Sequence, residues 1–387
     1  MLPAPCARMP STAESGMKFT WAYREETIMS RHEWGRLARR SQIRGPLDTW
    51  QAFQLRLAMG RRATPRKIIN LAAVKIQKRL RVDKLRCRPY RYKIDPTNTC
   101  PLRCPLCPTG LRLPFRKSGF MDESLYRRII DQIARDALLL DLFGWGEPLL
   151  HPNLDAMIHY AVDRGIFTRM SSTLCLPGWR GAESLVASGL DSIIVAVDGI
   201  DEATYGLYRR EGRLSDVLDN LASLVAARAR AGRKTPHLTV RMLVHRANEH
   251  QVDQVRALSR RLGADAFTVG PIVVDTDSPD QIERWIPVGS PSSGYNKELI
   301  NHGSCDDLWE SLAINWDGGV APCCWIYEDR YDLANLADEP LLQVWNSPAF
   351  RAARRSVAGK VPIDGAPQVV CSLCSGRPAY LSTRPGT

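Results

Sequence analysis

Short apolar segments alternate with amphipathic ones through the middle of the chain. The apolar segments have the length of β-strands, and the segments between them carry apolar residues at helical spacing. The pattern predicts six strands, at residues 91–96, 138–144, 167–172, 191–197, 237–245 and 267–274. It predicts helices between them at residues 122–135, 153–164, 181–188, 214–230 and 249–262. This order is typical of parallel βαβ units in an α/β fold, which close into a barrel or part of one with its chemistry at the carboxyl ends of the strands.

Four further segments lie outside this predicted barrel of residues 89–275. Residues 1–30 are polar and unpatterned, and we expect them to be disordered. Residues 31–88 predict a basic helical extension, broken at 45–46 and 60–65 by Gly and Pro. Residues 276–304 predict a polar connector. Residues 305–387 predict a small domain, with a β-hairpin that turns at 317–319 and a helix at 341–357 interrupted near 346–348.

The composition is that of a globular protein of about two domains, since the chain has 387 residues and 44% of them are hydrophobic. No apolar stretch approaches the roughly 18 residues that a membrane span needs. The first residues lack the charged start and apolar core of a secretory signal. We therefore expect a cytoplasmic protein whose 11 cysteines stay reduced and available to metal.

The positive charge is concentrated in one segment. The formal net charge is +12, and residues 31–93 contain 19 Lys and Arg against three acidic residues. Such a segment suits an anionic partner, such as nucleic acid, a membrane surface, an acidic peptide or a phosphorylated substrate, or it is a solvated helical face. Its few aromatic residues do not interleave with the charges as on a nucleic-acid stacking surface, so we favour the solvated face and expect no nucleic-acid partner.

Three cysteines, Cys100, Cys104 and Cys107, follow the first predicted strand at the spacing CxxxCxxC. A 4Fe-4S cluster normally takes four thiolates, so a loop that supplies three leaves one iron open to another ligand. Prolines between the cysteines stiffen the loop. The spacing therefore favours a reactive 4Fe-4S cluster over three unrelated buried thiols.

This run resembles the signature of the radical S-adenosylmethionine (radical SAM) superfamily, and the resemblance covers roughly residues 88–376. It implies a partial (β/α)6 barrel of the TIM type. It also implies that the open iron binds S-adenosyl-L-methionine (SAM), whose reductive cleavage gives a 5′-deoxyadenosyl radical that takes a hydrogen atom from the substrate. A reducing partner such as flavodoxin or ferredoxin would supply the electron.

The resemblance continues in the loops after the next strands. The run FGWGEP at residues 143–148 is similar to the family's GGEP motif, with Trp145 in place of one glycine. Relatives contact SAM from this turn and from the ends of the following strands. The positions that match by resemblance are Gly144, Gly146, Glu147, Ser171, Ser172, Asp198 and Arg209.

A second cysteine set lies near the C-terminus, at Cys305, Cys323, Cys371 and Cys374, with Cys324 as an alternative to its neighbour Cys323. Four thiolates suit zinc or a 4Fe-4S cluster, and the spacing alone does not choose between them. The segment resembles the SPASM and twitch extensions of radical SAM enzymes. That resemblance implies a second, auxiliary 4Fe-4S cluster.

These features predict a radical SAM oxidoreductase or epimerase acting on a small polar substrate such as a sugar or aminocyclitol. The extension at 31–88 lacks the strand pattern of a peptide-recognition domain, which disfavours the alternative, a maturase of a ribosomally made peptide or protein. A non-catalytic iron-sulfur electron-transfer protein is an alternative of another class. Cys175 is the candidate catalytic residue, as a hydrogen-atom donor in an epimerisation; Cys324 is the competing donor, and simple packing of the Cys175 thiol is the other interpretation.

Overall fold

A computed structural model describes residues 55–272, 274, 279–288 and 305–372 of the chain. The predictions for residues 1–30, for most of the connector at 276–304 and for Cys374 therefore lie outside the described residues.

The described strands form one sheet in the order β6-β5-β4-β3-β2-β1-β7-β8-β9. The strands from β1 to β6 pair in parallel with their neighbours in chain order, as successive βαβ units do. The predicted α/β fold with a partial barrel is confirmed, and the sheet stays open. The strands are β1 Arg91–Ile94, β2 Leu139–Leu142, β3 Phe167–Ser172, β4 Ser192–Ala196, β5 His237–Val244, β6 Ala266–Pro271, β7 Ser311–Ile314, β8 Gly319–Ala321 and β9 Ala334–Asn335.

The helices begin and end where the sequence supplies caps. The Asp122 carboxylate accepts hydrogen bonds from the first amides of α2, and Ser347 caps α11 just before Pro348. This cap explains why the helix predicted at 341–357 is divided in two. Residues 55–62 are also helical. The helices are α1 Pro65–Arg79, α2 Glu123–Ile133, α3 Leu154–Asp163, α4 Ala182–Ala187, α5 Glu202–Tyr208, α6 Leu214–Arg230, α7 Val252–Arg261, α8 Pro279–Trp285, α9 Asp307–Glu310, α10 Leu341–Trp345 and α11 Pro348–Val357. None of the helices in the described ranges has the length and apolar character of a membrane span.

Side chains of the barrel strands alternate between the helices outside and the barrel interior. At the amino end of the barrel, Leu139 and Phe167 pack against Ala58 of the 55–62 helix and close the interior with an apolar plug. The next layer toward the carboxyl end is charged, because Arg91 and Arg169 both bind Asp141. The interior therefore changes from apolar to polar toward the end where the chemistry is expected.

The basic extension is held to the rest of the protein by ion pairs. Its lysines and arginines pair with Asp136, Asp191, Asp306 and Glu310. Several of these side chains, such as Arg66 and Lys75, remain about half exposed, so the described part of this face is both solvated and ion-paired. These cations position α1 and the 55–62 helix against the barrel and the C-terminal segment.

The C-terminal segment continues the barrel sheet. Strand β7 pairs in parallel with β1, from Arg91 opposite Ser311 to Ile94 opposite Ile314. Strand β8 then returns antiparallel to β7, through a turn in which Gly318 has a φ of 87°. The predicted hairpin is confirmed, and its glycine has the positive φ that the turn requires.

Candidate functional site

The loop after β1 gathers the first three cysteines. Cys104 is buried, and Cys100 and Cys107 are half-buried. Burial, together with the negative charges of Glu147, Cys104 and Cys107, raises the pKa of Cys100 to about 12. Burial likewise raises the pKa of Cys104 to about 11, with Arg209 acting in the opposite direction. The three thiols therefore lie within electrostatic reach of one another in a shielded loop.

This arrangement fits a cluster better than a single ion. Among the described residues, no three Cys, His, Asp or Glu side chains meet at the distances of a single-ion site. A 4Fe-4S cluster binds each thiolate through a different iron, so its ligands stand farther apart. The three thiols are thus a fitting donor set for a three-cysteine 4Fe-4S cluster.

Arg209 places a positive charge beside this loop. Its Nη1 lies 3.9 Å from the Cys104 Sγ, and its Nε donates to Asp198 Oδ2 at 2.6 Å. The other Asp198 oxygen accepts the Leu243 amide at 2.7 Å, and the Asn248 side chain donates to the Asp198 carbonyl at 2.9 Å. Asp198 is fully engaged within the protein and orients the arginine.

The turn at residues 144–148, which we name the GWGEP loop, packs directly on the cysteine loop. A Cβ on Gly146 would lie 2.0 Å from the Thr97 carbonyl oxygen, so only glycine fits there. These glycines let the GWGEP loop approach the neighbouring loop closely, and their contact with SAM stays a prediction. Buried Glu147 accepts hydrogen bonds from the Ser172 hydroxyl at 2.7 Å and from the Thr173 amide and hydroxyl, both at 2.8 Å.

The structure brings part of the second cysteine set together. Burial raises the pKa of Cys323, and Cys324 and Cys305 raise it further. Cys371 is buried in a 3-10 turn, where its carbonyl accepts the Ser356 hydroxyl at 3.2 Å. Cys323 and Cys324 are both half-buried, so their placement does not choose between them as a ligand.

A small cavity lies beside the second cysteine site. Its walls include Gly144 and Trp145 of the GWGEP loop, Lys93 of β1, Asp95 just after β1, and Cys323 and Cys324; Asn315 lies on the hairpin side. Asp95 is 3% exposed, and its Oδ1 has no hydrogen-bond partner in the described part of the chain. Burial raises the pKa of Asp95 to about 6. The GWGEP loop, the end of β1 and two cysteines of the second site therefore border the same small space.

Arg116 joins the two cysteine sites and was not found from the sequence. Its side chain is 1% exposed. Its Nη1 binds both Asp317 oxygens at 2.9 and 2.7 Å, and its Nη2 binds both Asp332 oxygens at 2.8 and 2.7 Å. Its Nε donates to the Tyr327 carbonyl at 3.0 Å. No local pattern marks this residue, because its partners are about 200 positions away in the chain.

Cys175 is buried just beyond β3. Its Sγ accepts the Arg213 amide at 3.1 Å, and a Cβ on Gly212 would lie 3.0 Å from the same sulfur. This packing agrees with the interpretation of Cys175 as a small apolar side chain. The hydrogen-donor role stays a prediction.

Comparison with known proteins agrees with this site. The profile of the radical SAM superfamily matches residues 94–258, and that of the SPASM iron-sulfur cluster-binding domain matches residues 305–375. The PqqA peptide cyclase of Gluconobacter oxydans is 25% identical over 291 residues, 69% of this chain and 79% of the cyclase. The PqqA peptide cyclase of Xanthomonas campestris pv. campestris is 28% identical over 181 residues, 47% of this chain and only 46% of that cyclase.

The fold also has solved relatives. The crystal structure of Streptococcus suis SuiB bound to precursor peptide SuiA superposes with a TM-score of 0.53 at 17% identity, covering 74% of this chain and 70% of SuiB. At this identity the likeness shows the fold alone.

These comparisons correct the predicted substrate class. The expectation of a sugar or aminocyclitol substrate is wrong, because both of these relatives matched by sequence are peptide cyclases. The missing strand pattern ahead of the barrel was a weak argument, since it concerned one kind of recognition domain. The non-catalytic electron-transfer alternative also fails, because the chain has the radical SAM domain. The chain belongs to the radical SAM superfamily and is an enzyme that uses SAM and two 4Fe-4S clusters, with a C-terminal SPASM domain.

Proposed function

We propose that this enzyme modifies a peptide or protein substrate by hydrogen abstraction. The observation that carries the proposal is the similarity to a PqqA peptide cyclase over 79% of that protein's length.

The two cysteine sets would hold clusters with different roles. Cys100, Cys104 and Cys107 would hold the SAM-binding cluster. When bound, this cluster and SAM supply a 5′-deoxyadenosyl radical. The auxiliary cluster would take Cys305, Cys371, Cys374 and either Cys323 or Cys324.

Ser171 and Arg209 are the best candidates among the predicted SAM contacts. Ser171 is half-exposed on the interior face of β3, and its hydroxyl has no hydrogen bond within the described ranges. Arg209 keeps its Nη atoms beside Cys104 while Asp198 holds its Nε. An arginine fork and a hydroxyl suit the methionine carboxylate of SAM.

The remaining predicted SAM contacts hold Arg209 or the loops around the site in place. Glu147 and Ser172 bind each other, and Asp198 orients Arg209. Gly144 and Gly146 let the GWGEP loop approach Asp95 and Thr97. We assign them to positioning the site.

We propose oxidation of the substrate rather than epimerisation. Cys323 and Cys324 of the auxiliary site line the cavity beside the GWGEP loop, whereas the candidate hydrogen donor Cys175 is packed against Arg213. Turnover then needs an external electron for SAM cleavage, for which flavodoxin or ferredoxin is the proposed source.

The test uses anaerobically reconstituted protein and candidate precursor peptides encoded near its gene. Wild type should bind about eight irons and the Cys100/Cys104/Cys107 triple alanine variant about four. Cys104→Ala should abolish formation of 5′-deoxyadenosine, whereas Cys371→Ala should spare it and lose the peptide product in mass spectra. A mass change in small polar substrates but in no peptide would contradict the proposal, and so would equal loss of SAM cleavage in both folded variants.

A further inference from the structure

The barrel interior holds more positive than negative side chains. Arg91 and Arg169 share the single carboxylate of Asp141, at 2.7 and 2.6 Å. Arg209 has its own partner in Asp198. Arg241, on the interior face of β5, has no ion pair or hydrogen bond from its guanidinium to any residue in the described ranges.

A glycine on the neighbouring strand leaves room for this unpaired guanidinium. Gly270 on β6 lies two residues beyond Thr268, which is opposite Arg241 in the sheet register. A Cβ on Gly270 would lie 2.5 Å from the Arg241 Nη2 and 2.8 Å from its Nε. The arginine therefore occupies the volume that a side chain at position 270 would fill.

The surroundings make the charge costly without an anion. Burial lowers the pKa of Arg241, and Arg209 and Arg169 lower it further, while Asp198, which is already bound to Arg209, and Tyr208 raise it. Arg241 is half-buried, and a cation held beside other cations without an anionic partner is unfavourable. A ligand carboxylate that accepts its hydrogen bonds removes that cost.

We propose that Arg241 binds the carboxylate of an aspartate or glutamate side chain of the substrate. This inference rests on the proposed peptide-modifying function and names the kind of residue that enters the barrel. The methionine carboxylate of SAM is the other carboxylate in such a site. Arg209 is the arginine near Cys104, at 3.9 Å from its sulfur, which leaves Arg241 on the next strand for the substrate.

The test measures binding of N-acetyl-glutamate-N-methylamide to reconstituted, SAM-saturated protein by ligand-observed NMR titration, with the glutamine analogue as the uncharged probe. Wild type should prefer the glutamate probe. Arg241→Gln should weaken its binding about tenfold to a hundredfold, the range for losing a charge-assisted bidentate contact. Arg260→Gln, which removes an exposed arginine from α7 of the same βα unit, is the matched control and should bind as wild type.

Two further variants keep the test decisive if Arg241→Gln folds poorly. Arg241→Lys keeps the charge but loses the fork, and should bind the probe at an intermediate level. Gly270→Ala keeps the arginine itself but fills its space, and should also weaken the probe. SAM affinity and 5′-deoxyadenosine formation without substrate should be unchanged in all of them.

Three results would overturn the proposal: equal binding of both probes by wild type, unchanged glutamate-probe binding in Arg241→Gln and Gly270→Ala, or a tenfold loss of SAM affinity in Arg241→Gln with the probe unaffected. The last would assign the arginine to SAM. Failure of the proposed function would be distinguishable from these results. It would appear as SAM cleavage without a change in any peptide, and it would not alter the binding measured with the two probes.

Discussion

Replacing Arg116 by methionine tests whether the two cysteine sites depend on each other. Arg116 follows the first cysteine loop in the chain, and its two carboxylate partners lie on either side of the hairpin strand β8. Methionine fills a similar volume without the charge. The change therefore removes the ion pairs without opening a large cavity.

The expected loss follows from burial. The Arg116 side chain is 1% exposed, and those of Asp332 and Asp317 are 13% and 31% exposed. Removing one partner of a buried pair costs about 3–5 kcal/mol, because the other charge stays buried and uncompensated. Asp317 is partly solvated and contributes less, so we expect the free energy of unfolding to fall by about 3 kcal/mol.

The assay is anaerobic urea unfolding of reconstituted protein, followed by circular dichroism and by cluster absorbance. Arg230→Met is the matched control, since Arg230 pairs with Glu183 at the surface and both side chains are more than 60% exposed. That exposed pair should be worth at most about 1 kcal/mol. Adding Asp332→Asn to Arg116→Met should recover part of the loss, because it removes the stranded charge. If Arg116→Met cost no more than Arg230→Met, the structural link between the two sites would be refuted.

Three further changes test other parts of the structure. Gly146→Ala places a methyl group 2.0 Å from the Thr97 carbonyl, so SAM cleavage should fall about 100-fold, whereas Gly206→Ala, with nothing within 4 Å, should keep it. The buried ring of His245 has no hydrogen-bond partner within the described residues and its pKa is lowered to about 4 by burial, so the unfolded chain protonates first and stability falls as the pH drops from 6.5 toward 4. His245→Phe should therefore be about 2 kcal/mol more stable than wild type at pH 5 and similar to it at pH 7.5 in urea titrations; equal pH dependence of the two would contradict this. Glu310→Gln removes a carboxylate shared by two lysines of α1 and should lower the free energy of unfolding by about 1 kcal/mol, and an unchanged urea midpoint would exclude this anchoring role.

The sequence predicted the barrel strands well because each carries its own local pattern. The third strand is predicted at its observed bounds, and the others differ by a few residues at their ends. The same alternation also indicates which face of a strand is polar. Arg91 and Lys93 of β1 and Asp95 just after it occupy alternate positions, which indicates a polar interior face.

Other features depend on contacts that no local pattern encodes. The pairing of β7 with β1 joins residues more than 200 positions apart, and hydrophobic spacing does not specify which strand edge a distant segment will meet. The packing role of Gly146 could not be predicted because a turn read alone shows no neighbour, whereas in the folded chain Thr97 and Thr99 are the neighbours. The prediction of the substrate class was wrong for a related reason. Residues such as Arg241, which we propose to bind the substrate, take their places around a site only when the strands are assembled.

The pairing of β7 with β1 also covers a surface that would promote aggregation. Without it, residues Arg91–Ile94 would present unpaired amide and carbonyl groups along a strand that includes Tyr92 and Ile94. Such an open edge is a template for strands of other molecules. The C-terminal segment instead ends the described sheet in the two-residue strand β9, which offers little for another chain to pair with. A chain that ended before residue 305 would thus lose its protection against self-association together with its second cysteine site.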